Sequence, residues 1–132
     1  MQVSISDAWR QAFPDAHVGV LLLDHVRNRV DSAALTAHLH KLETEVRRRY
    51  AGFDRARLAD LEVISAYQQH YRRFGQTYHL LGQLESVALK ARPLTSPGGA
   101  LVAAMFAAEI DHVLLTAGHD ADVVEGLSLI HI

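Results

Sequence analysis

Between Leu114 and Asp120 the sequence reads Leu-Leu-Thr-Ala-Gly-His-Asp, the stretch of this chain richest in groups that could do chemistry. A short apolar run ending in small residues exposes backbone N–H groups, and His119 and Asp120 bring acid–base character to the same point. Thr116 adds a hydroxyl. Gly118 opens backbone angles closed to other residues, so the turn can aim amides at a carbonyl or a carboxylate. The competing reading is a tight turn in which Asp120 accepts from nearby amides and His119 is exposed. Seven residues before Thr116 stands Glu109, which shares an apolar helical stripe with Met105 and Val102. A carboxylate on a buried face must find a donor, border a cavity or take back its proton, so Glu109 joins Thr116 and Gly118 as a candidate substrate-binding residue. A structural ion pair or cap is the plainer alternative for it. Glu85, four residues after Leu81, is a weaker case of the same kind, at a solvent boundary.

Nine histidines raise the question of a metal. Helical ligand pairs stand three or four residues apart and strand pairs two apart. His38 and His40 are two apart on a predicted helix and diverge, while His70, His79, His112 and His119 lack ligand spacing. No metal and no cofactor is therefore expected. No phosphate-binding loop, dinucleotide fingerprint, nucleophile elbow or zinc-protease helix occurs, and Gly98-Gly99 reads as a flexible turn before a helix. The absence of cysteine excludes a disulfide scaffold, a thiolate zinc site and a cysteine nucleophile. The basic residues cluster at Arg47, Arg48, Arg49, Arg55 and Arg57, with Arg72 and Arg73 further on. Such a cluster can meet a phosphate backbone, or it can be a solvated helix end favoured by the helix dipole.

The elements that must position these groups are set by an ordinary composition. At 132 residues, 49% hydrophobic and 21% charged, the chain suits one domain with a real core and not a disordered, collagen-like or coiled-coil protein. Its net charge of −2 is unevenly placed: residues 1–92 hold every basic residue and balance at +3, whereas residues 93–132 balance at −5. The longest apolar runs, such as Val18–Leu23, fall far short of the roughly 20 residues that span a bilayer, and no basic leader precedes one. A soluble cytoplasmic domain without a membrane partner is expected.

Val18–Leu23 has the continuous apolarity of a strand buried on both faces, and residues 113–116 read as a second strand. Helices are predicted over 32–50, 62–74, 79–91 and 100–110, with Gly52 and Gly75 as stops and the turn chemistry of residues 93–99 separating the last two. Strands interspersed with helices predict an α+β (mixed α/β) single domain with a buried sheet and about four helices. The last residues, 127–132, resemble an appended non-native tail, and the domain over 1–126 is expected to be incomplete at its C-terminus, with an exposed apolar face.

Several segments together resemble the B3/4 tRNA-binding domain of the phenylalanyl-tRNA synthetase β-subunit and its free-standing relatives. Tyr67-Gln-Gln-His-Tyr-Arg-Arg-Phe-Gly75 is similar to that family's W-R-x-x-Y-x-x-F-G helix, and Gln83–Lys90 to its S-x-E-A-L helix. Leu101–Glu109 and Leu114–Asp122 resemble free-standing members, and upstream Phe13-Pro14, Val18–Leu21 and Asn28 stand in the right order. Tyr67, Gln68 and Gln83 depart from the family's Trp, Arg and Ser, and Thr116-Ala-Gly118 replaces a proline-glycine turn. The resemblance implies a tRNA or aminoacyl-tRNA partner rather than DNA. It also implies a role in translation, hydrolysing the ester of mischarged aminoacyl-tRNA. On that reading His119 and Asp120 are the candidate catalytic residues, and Arg47, Arg48, Arg72 and Arg73 the candidate RNA contacts. The alternative is a non-catalytic module binding RNA or an amino acid.

Overall fold

A computed structural model describes residues 4–29, 32–94, 99–120 and 122. They form six helices in chain order: α1 (Asp7–Ala12), α2 (Ala33–Arg49), α3 (Arg55–Ala59), α4 (Glu62–Arg72), α5 (Leu80–Ala88) and α6 (Ala100–His112). The chain divides into two compact units, one spanning Arg27–Gly118 and the other joining Met1–Val26 to His119–Ile132.

In the larger unit the capping residues explain where helices begin. Ser32 accepts from the Leu35 amide at 3.2 Å to start α2, and Asp54 accepts from the Arg57 amide at 2.8 Å to start α3. Asn28 reaches across 73 positions of sequence to accept from the Leu101 amide at 3.0 Å and so caps α6. Gly99, at a φ of 91°, lies against the Asn28 side chain, which a Cβ there would meet at 2.7 Å. The glycine before the helix thus serves close approach as well as turning.

Helix α5 packs against α2, α3 and α6, and α2 also packs on α6. Leu42 and Val46 of α2 with Tyr50 at its C-terminal cap, Leu58 of α3, Ile64 of α4, Leu80, Leu81, Leu84 and Val87 of α5, and Ala107 and Ile110 of α6 belong to one buried cluster. Each large aliphatic side chain removed from water contributes about 1.5–3 kcal/mol, and several here are completely enclosed. Two arginines brace the ends. Arg47 donates to the carbonyls of Val87 and Ala91 at 3.3 Å, satisfying the C-terminal end of α5, and pairs with Glu43 at 3.5 Å. Arg49 donates to the backbone carbonyl and the carboxylate of Asp111 at 2.7 and 2.8 Å, tying the end of α2 to the end of α6.

The expected α+β fold with a buried sheet is not found: among the described residues there is no strand, and the architecture is all-helical. Four of the six helices fall where periodicity places them, whereas α1 and α3, at six and five residues, are too short to show a period. Residues 113–116 are not a strand because Val113 takes the left-handed conformation that ends α6, and Thr116 then folds back onto that helix. Val18–Leu23, in the smaller unit, has no ladder to join among the described residues, and its side chains stand exposed, Leu21 at 81%. A β-favouring run gains stability only from a paired neighbour and a covered face. In that unit Ser6 caps α1, and Trp9 lies 5.8 Å from Phe13. No helix of the described residues is long and apolar enough to cross a membrane. Residues 127–132, read from sequence as a tail, lie outside the described residues.

Candidate functional site

Glu109 is 2% exposed, on the face of α6 that its phase with Met105 and Val102 specifies. Its Oε1 accepts from both the backbone amide and the hydroxyl of Thr116, each at 2.9 Å. A carboxylate taking two donors from one residue closes the chain reversal after Val113, which is how a buried charge is tolerated here. The second oxygen, Oε2, has no hydrogen-bond partner, and His79 Nε2 stands 3.9 Å from it. Three tyrosines adjoin this point. Tyr78 stacks on Tyr67 with centroids 4.7 Å apart, Tyr71 lies 5.4 Å from Tyr78, and the buried Tyr78 hydroxyl is also unpartnered. Burial first, and the neighbouring Tyr67 and Glu109 next, push the phenols of Tyr71 and Tyr78 above the ordinary range.

Tyr78 and His79 also belong to the wall of an open cleft of about 390 Å³, completed by Arg55, Gln68, Arg72, Gln76, Thr77, Leu81 and Gly82. It lies where the end of α4 meets the start of α5. No side chain caps the first turn of α5; the Gly82 and Gln83 amides donate to the His79 carbonyl at 3.0 and 3.3 Å, which leaves the Leu80 and Leu81 amides at the helix start. Gly75, at a φ of 65°, turns the chain between the two helices. Arg55 pairs with Glu85, whose carboxyl is held below the ordinary carboxylate range by its hydrogen bond to Lys90 and by the charges of Arg55 and Lys90. A second cleft of about 340 Å³ shares His79 and Gly82 and is otherwise lined by Gln83, Ser86, Val87, Pro93, Leu94 and Phe106. Glu109 is in the wall of neither.

The structure brings Glu109 and Thr116 together but divides the remaining candidates. Gly118 does not take a left-handed conformation; a Cβ there would lie 2.7 Å from Sδ of the flexible Met105 side chain. His119 and Asp120 belong to the smaller unit, both exposed, and Asp120 Oδ1 accepts from the Asp122 amide at 3.1 Å as a turn residue does. Of the arginines, Arg47 is engaged with α5. Arg48, Arg72 and Arg73 are exposed and meet no carboxylate among the described residues. Sequence reasoning missed His79, Tyr78 and Arg55 as wall residues. Nothing in the spacing joins Arg55 to Arg72, because the packing of α3 on α4 and α5 brings them together. Among the described residues no three metal-ligating side chains gather in one place. Compared with protein-family models, curated proteins and solved structures, the chain gives no significant match.

Proposed function

We propose that the chain is an RNA-binding module whose partner is tRNA, held by the arginine-bearing end of α4. The observation that carries the reading is the state of Arg72 and Arg73: both are exposed at that helix end, and neither meets a carboxylate among the described residues. Arginines in this state can exchange solvent ions for backbone phosphates, the term that dominates affinity for nucleic acid. Phe74, 48% exposed, follows directly and offers a ring face on which an unpaired base can stack. The unit that carries them, residues 27–118, holds 12 basic and 9 acidic residues, a balance of +3 within a chain whose total is −2. The sequence resemblance to a tRNA-binding family supports the same partner and would place its work in the cytoplasm. The proposal stands on the arginines, since the sheet that the resemblance implies is absent among the described residues.

Binding without catalysis is the form of the reading that the geometry favours. The buried carboxylate of Glu109 closes a turn and borders neither cleft, and Asp120 braces a turn of its own. Fluorescence anisotropy with labelled, deacylated tRNA tests the proposal. The parent should bind, and Arg72→Gln with Arg73→Gln should weaken it about tenfold or more, two lost phosphate contacts being at stake. Equal affinity of parent and double variant, both folded by circular dichroism, contradicts it. Release of amino acid from mischarged tRNA would return the ester-hydrolase reading to first place.

A further inference from the structure

We infer that the cleft between the end of α4 and the start of α5 is a seat for a phosphate monoester, such as the 5′-phosphate of a bound RNA strand. The inference rests on the RNA-binding reading for that source and on the cleft itself for the chemistry. Its walls carry two guanidinium groups, Arg55 and Arg72, brought together from different helices. Thr77, Gln68 and Gln76 supply neutral hydrogen-bonding groups, and the Leu80 and Leu81 amides stand at the positive end of a nine-residue helix. The Arg72 fork, the Arg55 donors not taken by Glu85 and the first two amides of α5 together match the three terminal oxygens and near-double charge of a monoester better than the two free oxygens of a diester.

The carboxylates that touch these walls are already engaged. Glu85 is held by Arg55 and Lys90, and Glu109, behind His79, by Thr116. Arg72 meets no carboxylate among the described residues, so its charge is available to an anion. At about 390 Å³ and open to solvent, the cleft has room for a phosphate with its sugar attached.

The test uses two RNA hairpins of one sequence, one with a 5′-phosphate and one with a 5′-hydroxyl, and the full chain. The phosphorylated hairpin should bind about tenfold tighter, the scale of one charge-assisted hydrogen-bond set. Arg72→Gln should erase that difference, whereas Arg73→Gln, outside the cleft, should weaken both hairpins alike. Equal affinity of the parent for the two hairpins overturns the inference and leaves the RNA-binding reading intact. If neither hairpin binds, that reading fails, and inorganic phosphate followed by amide NMR decides the cleft. Saturable shifts at Thr77–Gly82, lost in Arg72→Gln, then assign the seat to a free phosphate or nucleotide, and their absence overturns it.

Discussion

Replacing Thr116 with valine isolates the contact that shapes the end of α6. Valine keeps the volume and branching of threonine and keeps the backbone amide that donates to Glu109 Oε1, but removes the hydroxyl that donates at 2.9 Å. A hydrogen bond to an ionised acceptor is worth about 1.5–3 kcal/mol, and its removal leaves a 2% exposed carboxylate with one donor in place of two. Because Oε2 already lacks a hydrogen-bond partner, no second oxygen can take up the loss. We therefore expect Thr116→Val to lower stability by about 2 kcal/mol. At a urea slope of about 1–3 kcal/mol/M, the unfolding midpoint should fall by roughly 0.7–2 M. Thr116→Ser, which keeps the hydroxyl, should stay within about 0.5 kcal/mol of the parent. A midpoint for Thr116→Val equal to that of the serine variant would refute the reasoning, because the clamp would then not hold the chain reversal.

Further outcomes follow from the core and from the titratable groups. Tyr78→Phe removes a buried hydroxyl that has no partner, so stability at neutral pH should be unchanged or raised by up to about 1 kcal/mol, read by urea titration. Since burial holds the Tyr78 phenol above its ordinary value of 10, stability that is full below pH 10 should decline as pH rises beyond it. Tyr78→Phe should flatten that decline in thermal melts, and the remaining slope should belong to Tyr71. Glu85 is shifted the other way, chiefly by Lys90, so its contribution is present above the ordinary carboxylate range and lost as pH falls through its lowered value. Lys90→Met should reduce the acid sensitivity of melting. Leu84→Ala, at a fully enclosed position of α5, should cost about 2–5 kcal/mol by urea titration.

How much of this was legible in the sequence depends on the range over which each signal acts. The helix over 32–50 is legible from the stripe Leu35, Leu39, Leu42, Val46 and Tyr50, because a long amphipathic helix carries its period within itself, and Gly52 and Gly75, at positive φ, stand at the chain reversals that follow α2 and α4. The burial of Glu109 was legible for the same reason, as a phase relation on one helix. Its partner is not legible: the run 113–116 reads as a strand, whereas Thr116 is the donor that closes the turn. The run Val18–Leu23 shows why strands are harder to read, since β-branched composition states a preference that only a paired neighbour fulfils. The cleft was not legible at all. Arg55, Arg72 and His79 come from three elements, and only the packing of α3, α4 and α5 sets them on one wall. Likewise the sequence grouped Arg47 with Arg48, while the structure engages one with the end of α5 and leaves the other exposed.

The salt dependence of tRNA binding tests the central claim most directly. If Arg72 and Arg73 each displace ions from a phosphate, the logarithm of the association constant should fall linearly with the logarithm of salt concentration. Replacing both arginines with glutamine should then make the slope shallower by about 1.4–1.8, or 0.7–0.9 for each contact. Arg47→Gln, which removes an arginine engaged with α5, should leave the slope unchanged. A parent that shows no binding at low salt, or a slope identical in the double variant, would contradict the account.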